Sequence, residues 1–391
     1  MKRDTSMDAV KEIMLTFAKS TGLLESGSAP KRYLWTDAFA VCNYLELYRQ
    51  TKDGSWRELA VRLVEQVHHV LGRHRADSAK KGWISGLSEA EGERHPTCAG
   101  LRIGKRLQER RPDEFPDERL EWDRDGQYYH YLAKWMHALS CVGRVTGDPR
   151  YLQWAFELAK AAHAGFTHTS TAEEGKFLYW KMSIDLSRPQ ATAMGQHDPL
   201  DGLVACWELQ AAAKRFPGVD FPDLGTEVTE LTEMCRGRDW GTDDTLGIGG
   251  MLCAAAWLSQ VMVEGEAASA GLLREVLDAS TFGLETVLTG GQLELSGRFR
   301  LAFRELGLAI GLKAVEPLAA LVEKNPAGFG DNVPALRERL HSLQRYLPLG
   351  EKIVSFWMDP VNQETGTWHE HGEINMVMLA TSLAPEEFLR V

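Results

Sequence analysis

Carboxylate, imidazole and indole side chains recur together at six places along the chain, each at the start of a run of apolar residues. The residues are Trp35 and Asp37; Trp122, Asp125, Tyr129 and His130; His197, Asp198 and Asp201; Trp240, Asp243 and Asp244; Arg298; and Trp368, His369, His371 and Glu373. Carboxylates and imidazoles transfer protons, and indoles offer apolar faces with a polar edge. If the six places meet, the sequence predicts one site for a small-molecule ligand.

Each of these residues also has a purely structural explanation. Asp before a helix is an ordinary N-cap, and acids in the first turn interact favourably with the helix dipole. Asp198-Pro199 has the pattern of a cap followed by proline at the first helical position. A Trp just before a cap can be a hydrophobic staple. Capping does not require His197, His369 and His371 as well, so the combined pattern favours a ligand site.

The runs that follow these residues have helical periodicity, and strand-like alternation is nearly absent apart from 177–182, a candidate strand. Six segments are amphipathic with one apolar stripe, as helices at a surface are: 7–21, 55–73, 149–166, 224–236, 267–289 and 333–347. Six others are apolar or small nearly all round and must be covered by protein: 37–50, 126–145, 199–213, 243–263, 299–315 and 373–383.

The two kinds of helix alternate, which predicts six helical hairpins closed into an all-α toroid whose inner helices have their N-termini at one mouth. A helical solenoid also repeats helix pairs. Closure is favoured because connections into the inner helices are often long and those out of them short. The long connections, 74–125, 167–197 and 348–371, are predicted as loops at the rim of the mouth. No Pro/Ser-rich linker interrupts the chain, so residues 1–391 are predicted to form a single domain.

Composition excludes some classes of partner. The chain has 391 residues, and 44 Lys and Arg against 55 Asp and Glu give a net charge of −11, so no basic stripe for nucleic acid is expected. The stretch 245–263 carries no charge, but a buried helix is the favoured interpretation and no membrane partner is expected.

The six cysteines contain no CxxC pair and are interpreted as reduced. The start of the chain is not an apolar signal core, so we expect a cytoplasmic protein.

The alternating helices, together with the polar helix starts at 125–130 (DGQYYH) and 196–202 (QHDPLDG), give the chain an architecture that resembles the six-hairpin (α/α)6-barrel superfamily of glycosidases and sugar-modifying enzymes. The resemblance covers essentially the full length. Such proteins place the active site at the inner-helix mouth, with acidic and aromatic residues facing the sugar. The resemblance therefore implies an (α/α)6 toroid, an enzyme and a carbohydrate ligand, without a cofactor; it implies nothing about the oligomeric state.

Glycoside hydrolysis needs one carboxylic acid to protonate the leaving oxygen and usually a second carboxylate to activate water or attack the sugar. Asp125 and Asp198 precede neighbouring inner helices and are the predicted pair. The four indoles at the helix starts are expected to pack against the sugar, with the remaining polar residues of the six places in contact with it.

Three alternatives stay open. His197 and His371 are a candidate two-base pair for isomerisation or epimerisation of a sugar, for which the ordinary pKa of histidine is well suited. A non-catalytic protein would keep the aromatic cavity without a working acid pair. His369, His371 and Glu373 are metal-ligand types at alternate positions, but no HExxH motif is present and no metal is predicted.

Overall fold

The computed structural model of the protein describes residues 2–24, 29–169, 175–191, 193–266 and 269–391. Their contacts group the chain into two units. We call residues 18–48 and 53–238 the N-terminal unit, and residues 1–17, 49–52 and 239–391 the C-terminal unit. The prediction that residues 1–391 form one domain stays a prediction.

The N-terminal unit contains three hairpins, in each of which a largely buried helix is followed by an amphipathic one. They are α2 (Leu34–Thr51) with α3 (Gly54–Leu71), α6 (Tyr129–Thr146) with α7 (Pro149–Phe166), and α8 (Asp198–Ala213) with α9 (Gly225–Cys235). The turn between α6 and α7 is specified locally: Gly147 ends α6 with a φ of 70°, and Asp148 caps α7 by accepting a hydrogen bond from the Arg150 N–H. A left-handed φ favours glycine, and Asp is a preferred N-cap.

Two insertions separate these hairpins. The first contains α4 (Glu89–Arg94), α5 (Glu118–Asp123) and β1 (Gln127–Tyr128). The second contains β2 (Thr167–Thr169), β3 (Lys176–Leu178), β4 (Lys181–Met182) and β5 (Pro189–Ala191). β2 pairs with β3, and β1, β4 and β5 form an antiparallel sheet in the order β1-β4-β5, with Tyr128 opposite Lys181. The candidate strand 177–182 is therefore divided between two sheets.

The C-terminal unit contains α1 (Lys2–Ser20) up to Phe17, together with the helices that follow residue 239. Its two hairpins are α10 (Thr245–Val263) with α11 (Ala270–Gly290), and α12 (Ala302–Lys324) with α13 (Val333–Gln344). The short 3-10 turns Gln292–Glu294 and Gly297–Phe299 join the two hairpins, and Pro326–Gly328 and Gly330–Asn332 lie between α12 and α13. The chain ends with α14 (Leu347–Met358), α15 (Pro360–Gln363), α16 (Gly366–Glu370) and α17 (Gly372–Leu383).

All twelve predicted helices are present, with differences mostly confined to their ends. Their two kinds are also confirmed: α2 is buried along most of its length, whereas α3 buries one stripe that includes Leu63, Val67 and Leu71. The predicted rim loop 348–371 is wrong, because most of it is helical. Ile353 and Trp357 lie four residues apart on one face of α14 and are buried, so this segment folds by packing that face.

Among the described residues, α10 is the one helix long and apolar enough to cross a membrane. Of its most apolar stretch, 72% is buried inside the protein. It packs against α12 with the two backbones nearly in contact, because Gly249 faces Gly307 and Gly311. Small residues at such positions let helices approach closely, and a side chain there has no space.

Replacing Gly311 with Ala is expected to lower the free energy of unfolding by about 1–3 kcal/mol. A Cβ at this position would lie 2.5 Å from the Gly249 carbonyl oxygen and 2.6 Å from its Cα, both of them backbone atoms. Gly250→Ala is the matched control, because nothing lies within 4 Å of a Cβ there; this variant is expected to be neutral or stabilised by up to about 1 kcal/mol. Urea unfolding compares the two, and equal stability would contradict the close approach of α10 and α12.

Candidate functional site

Five aromatic rings form a row in the N-terminal unit. The ring centroids are 5.0 Å apart between Trp122 and Trp180, 5.1 Å between Trp180 and Tyr128, 5.5 Å between Tyr128 and His130, and 5.9 Å between His130 and Trp35. Trp122 is 54% exposed, which agrees with its predicted position at a ligand surface, and Trp35 is largely buried. We call these five residues the aromatic row.

Three structural elements and two helix starts position the aromatic row. Trp122 lies on α5, Tyr128 on β1, and Trp180 just before β4. Because β1 pairs with β4, the Trp180 ring stacks on that of Tyr128. Trp35 and His130 lie in the first turns of α2 and α6. The row therefore runs from the starts of α2 and α6 to residues of both insertions.

Asp198 and His130 form a carboxylate–imidazole pair beside the row. Asp198 is the first residue of α8, is only 4% exposed, and has its Oδ1 3.4 Å from His130 Nδ1. Neither Asp198 Oδ2 nor His130 Nδ1 makes a hydrogen bond with the described part of the chain. Buried polar atoms nearly always have a hydrogen-bond partner, and exceptions require an explanation such as a catalytic role. Asp198 thus remains a candidate proton-transfer group.

Two further predicted residues lie on the same helix start. His197 occupies the N-cap position of α8 and is half-buried. Asp201, in the first turn of α8, accepts a hydrogen bond of 2.8 Å from the buried Lys134 ammonium of α6. The Asp201 carboxylate is therefore engaged in an ion pair within the unit.

Asp125 has a structural environment that does not fit the catalytic role predicted for it. Its side chain is fully buried, and its Oδ2 accepts hydrogen bonds from Arg102, at 2.5 Å, and Arg75, at 3.3 Å. Its Oδ1 accepts from the backbone N–H groups of Gly104 and Gly126. A carboxylate held by two guanidinium groups and by backbone donors has no free lone pair directed at a substrate. Asp125 therefore organises the insertion.

Asp37 and Tyr129 are also buried, which does not fit the ligand contacts predicted for them. Asp37 is 1% exposed, accepts a hydrogen bond from the Tyr33 backbone N–H and lies 3.3 Å from the Arg32 guanidinium. Tyr129 is 2% exposed and packs against Phe166, and burial raises the pKa of its hydroxyl well above the usual value. Asp37 stabilises the start of α2, in line with the structural explanation given for it in the sequence analysis. Tyr129 belongs to the core.

In the C-terminal unit, Asp244 and His371 each contact a residue at the start of α12. Asp244 caps α10 by accepting hydrogen bonds from the first backbone N–H groups, and its Oδ1 is 2.7 Å from Arg304 Nη1. His371 is half-buried and meets the Phe303 ring edge-on, with centroids 5.3 Å apart. Asn375 fixes this region because its Oδ1 accepts a hydrogen bond from the Phe303 backbone N–H.

Trp240 and Trp368 are buried, 2% and 6% exposed, so the prediction that they line a cavity as partly exposed platforms is wrong. The Trp368 ring stacks on Trp357 at 5.8 Å, and Trp357 donates a hydrogen bond to the buried Glu305 carboxylate. Trp368 therefore packs as a core residue, as the staple interpretation allows.

The remaining predicted residues of the C-terminal unit lie at its surface. Asp243, Arg298 and His369 are exposed, and Glu373 is half-buried. The Arg298 guanidinium lies over the neighbouring Phe299 ring. Within the described residues, the histidine and glutamate side chains at 369–373 form no group of three ligand atoms for a metal. The structure gives these residues no shared arrangement inside the unit.

Two amines beside the aromatic row carry no recognisable motif in the sequence. Lys105 Nζ and Lys181 Nζ lie 5.7 and 5.5 Å from the centre of the Tyr128 ring. Lys181 donates hydrogen bonds to the backbone oxygens of Glu121 and Arg124, at 2.6 and 2.9 Å. Burial lowers the pKa of both amines, that of Lys181 to about 8. Lys181 cannot be recognised from the sequence, because only the pairing of β4 with β1 brings it to the row.

The lowered pKa of Lys181 is expected to make protein stability depend on pH. Between about pH 8 and 10.5 the unfolded chain binds more protons than the folded one, so the free energy of unfolding rises with pH in this window. Relative to Lys181→Gln, the wild type is expected to gain up to about 3 kcal/mol across it. Urea unfolding at several pH values measures this difference. The exposed Lys324→Gln is the control, and identical pH profiles for wild type and Lys181→Gln would contradict the expectation.

No protein-family model and no curated protein sequence matches the chain. Solved structures, however, are similar along nearly its whole length. A GH76 α-mannanase from Bacteroides thetaiotaomicron is 11% identical with a TM-score of 0.55, covering 98% of this chain and 97% of that one. A D-mannose isomerase is 11% identical with a TM-score of 0.52, covering 97% of each chain. The chain has the six-hairpin (α/α)6 fold.

A third similar structure is a sugar epimerase from a ruminal bacterium, 11% identical with a TM-score of 0.50 and covering 98% of each chain. Similarity at this level of identity establishes the fold. It confirms the predicted all-α (α/α)6 class, and the solenoid alternative is wrong. That the six helix starts meet at one mouth stays a prediction.

Proposed function

We propose that this protein is a carbohydrate-active enzyme and that Asp198 is its proton-transfer group. The observation that carries the proposal is the buried Asp198–His130 pair, whose atoms Oδ2 and Nδ1 make no hydrogen bond with the described chain. His130 belongs both to this pair and to the aromatic row. A ligand packed on the row therefore has a proton donor or acceptor beside it.

The accessible part of the row, Trp122, Trp180 and His130, has the properties that a sugar requires, whereas Tyr128 and Trp35 are buried. A sugar ring presents apolar C–H faces, which pack on aromatic rings, and hydroxyl groups, which need hydrogen-bond partners. Beside the row, the hydroxyls of Tyr33 and Tyr131 are hydrogen-bonded to each other at 2.6 Å, and Tyr131 packs edge-on against His130. The similar structures, a mannanase, a mannose isomerase and a sugar epimerase, support a sugar as the ligand class.

We propose hydrolysis of a glycosidic bond as the reaction, with Asp198 as the general acid. A glycosidase usually needs a second carboxylate. Because Asp125 is enclosed by guanidinium groups, the candidate for this role within the N-terminal unit is Asp201. Its carboxylate is paired with the Lys134 ammonium.

Isomerisation or epimerisation is the second candidate, and the contact between His130 and Asp198 favours it. An imidazole next to a carboxylate is a suitable base for removing a proton beside a carbonyl. His197, at the N-cap of α8, would be a further base on the same unit. This reaction does not need the second carboxylate.

The two reactions differ in the fate of the carbon-bound hydrogen. We would incubate the protein in D₂O with a panel of mannose- and glucose-containing disaccharides and free aldoses, and follow products by NMR. Hydrolysis gives a new reducing sugar with no deuterium on carbon, whereas isomerisation or epimerisation gives a ketose or epimer, with solvent exchange at the carbon beside the carbonyl.

Ligand binding is followed in parallel by tryptophan fluorescence, with Trp122→Phe to identify the responding indole. Binding without any product would support the non-catalytic alternative. A protein that neither binds nor converts any sugar of the panel would contradict the proposal.

We also propose that the protein is cytoplasmic. The six cysteines form no disulfide in the structure, and five of them are buried. Thiols of this kind are typical of proteins from reducing compartments.

A further inference from the structure

Cys42, His137 and Cys141 form a buried cluster in the N-terminal unit. Their ligand atoms lie within 4.8 Å of one another, and the three residues are 1%, 2% and 0% exposed. We propose that this cluster binds one zinc-type divalent cation as a structural metal site. The inference is independent of the proposed function.

The cluster lies deeper than the candidate sugar site. Cys42 is on α2, and α6 supplies both His137 and Cys141, which are four residues apart and therefore share a helix face. His137 follows His130 by seven residues on α6, which places it about 10 Å further along the helix axis. A metal here would cross-link α2 to α6 without touching a ligand on the aromatic row.

The observed spacing suits tetrahedral zinc. Zinc binds thiolate at about 2.3 Å and imidazole nitrogen at about 2.0 Å, so two such atoms on a tetrahedral ion are about 3.5 Å apart. His137 Nε2 and Cys141 Sγ are 3.6 Å apart. A cation therefore fits between them with little movement of either side chain, and a water molecule would supply the fourth ligand.

Glu208 on α8 holds the imidazole in the orientation that a metal needs. Its Oε2 lies 2.8 Å from His137 Nδ1, so Nε2 is directed towards the Cys141 thiol. A carboxylate on the second nitrogen of a ligating histidine is a recurrent feature of zinc sites. Glu208 is 2% exposed, and its Oε1 makes no hydrogen bond within the described residues.

The charges around the cluster also match a divalent cation. The thiolate is the form of cysteine that binds metals, and a metal ion bound here would displace the thiol protons of Cys42 and Cys141 into solvent. Two thiolates neutralise a divalent ion. Glu208 and Arg144, whose Nη2 is 3.4 Å from Cys141 Sγ, balance each other. The loaded site therefore buries no net charge, which limits its desolvation cost.

Cobalt and zinc test the site in the full chain. Protein treated with a chelator and a phosphine reductant is titrated with Co²⁺, and we expect one equivalent bound, with thiolate-to-cobalt charge-transfer absorption and tetrahedral visible bands that Zn²⁺ abolishes. Cys42→Ser and Cys141→Ser are expected to lose this spectrum. Glu208→Gln keeps all three ligands and is expected to bind about 10–100-fold more weakly. Cys206→Ser, a buried cysteine on α8, is the matched control and should bind as the wild type does.

Circular dichroism checks that each variant is folded. If a serine variant does not fold, Glu208→Gln, which keeps all three ligands, still tests the site. Wild-type protein that gives no thiolate–cobalt spectrum would overturn the proposal. A spectrum retained by both serine variants, or an affinity unchanged in Glu208→Gln, would place the metal at other residues and overturn it equally.

Discussion

Replacing Asp198 with Asn is expected to lower kcat by at least about 10²-fold while the protein stays folded. Asparagine keeps the size and most of the hydrogen bonding of the side chain but cannot give or take the proton. The carboxylate is 4% exposed and has one oxygen without a hydrogen bond inside the described chain, so little of the fold depends on its charge. Turnover is measured on the substrate that the D₂O experiment identifies, and circular dichroism checks folding.

The exposed Asp220→Asn in the same unit is the matched control and should keep wild-type turnover. If Asp198→Asn stays near normal while His130→Ala and His197→Ala are inactive, isomerisation or epimerisation by imidazole bases replaces hydrolysis. If all three variants stay active, Asp198 is not the proton-transfer group.

The helices of this protein are predictable because their signals are local. The stripe of α3, the Asp148-Pro149 start of α7 and the uncharged run of α10 each specify a helix and its burial within a few adjacent turns. Hydrophobic periodicity and capping act over the same short range. The alternation of buried and amphipathic helices then limits the fold to hairpins in two layers.

The placement of single side chains at the helix starts is not predictable in the same way. Trp122 and Trp368 occupy similar positions in the sequence, yet one is 54% exposed and the other 6%. The difference arises from distant residues: Trp368 stacks on Trp357, whereas Trp122 packs against Trp180 and remains about half exposed. A local pattern cannot distinguish a core staple from a ligand platform.

The same limit applies to the two carboxylates predicted as an acid pair. Asp125 and Asp198 both precede inner helices, but the insertion places Arg102 and Arg75 on Asp125 alone. These partners are 23 and 50 residues away along the chain, and no spacing rule connects them to Asp125. The structure therefore gives the two carboxylates different roles: Asp125 is structural, and Asp198 remains a candidate catalytic group.

Because Asp125 is structural, its substitution is expected to lower stability and not turnover, the opposite of what is expected for Asp198. Asp125→Asn is expected to lower the free energy of unfolding by about 3–5 kcal/mol, because it leaves the Arg102 guanidinium buried without its counter-charge. Arg102 is 6% exposed and Asp125 is fully buried, so water cannot replace the lost partner. The urea midpoint is expected to fall, while the fraction that remains folded keeps kcat within a few-fold of the wild type.

Asp113→Asn is the matched control, since it removes the partner of Arg111 from an exposed ion pair of the same insertion. Its loss of stability is expected to be much smaller, because exposed ion pairs contribute little. The reverse pattern, Asp125→Asn with wild-type stability and turnover reduced by 10²-fold or more, would restore Asp125 to the acid pair. The ion pairs argue against that result: Arg102 is buried with Asp125 as its one carboxylate partner among the described residues, and both oxygens of Asp125 already accept hydrogen bonds from groups of the insertion.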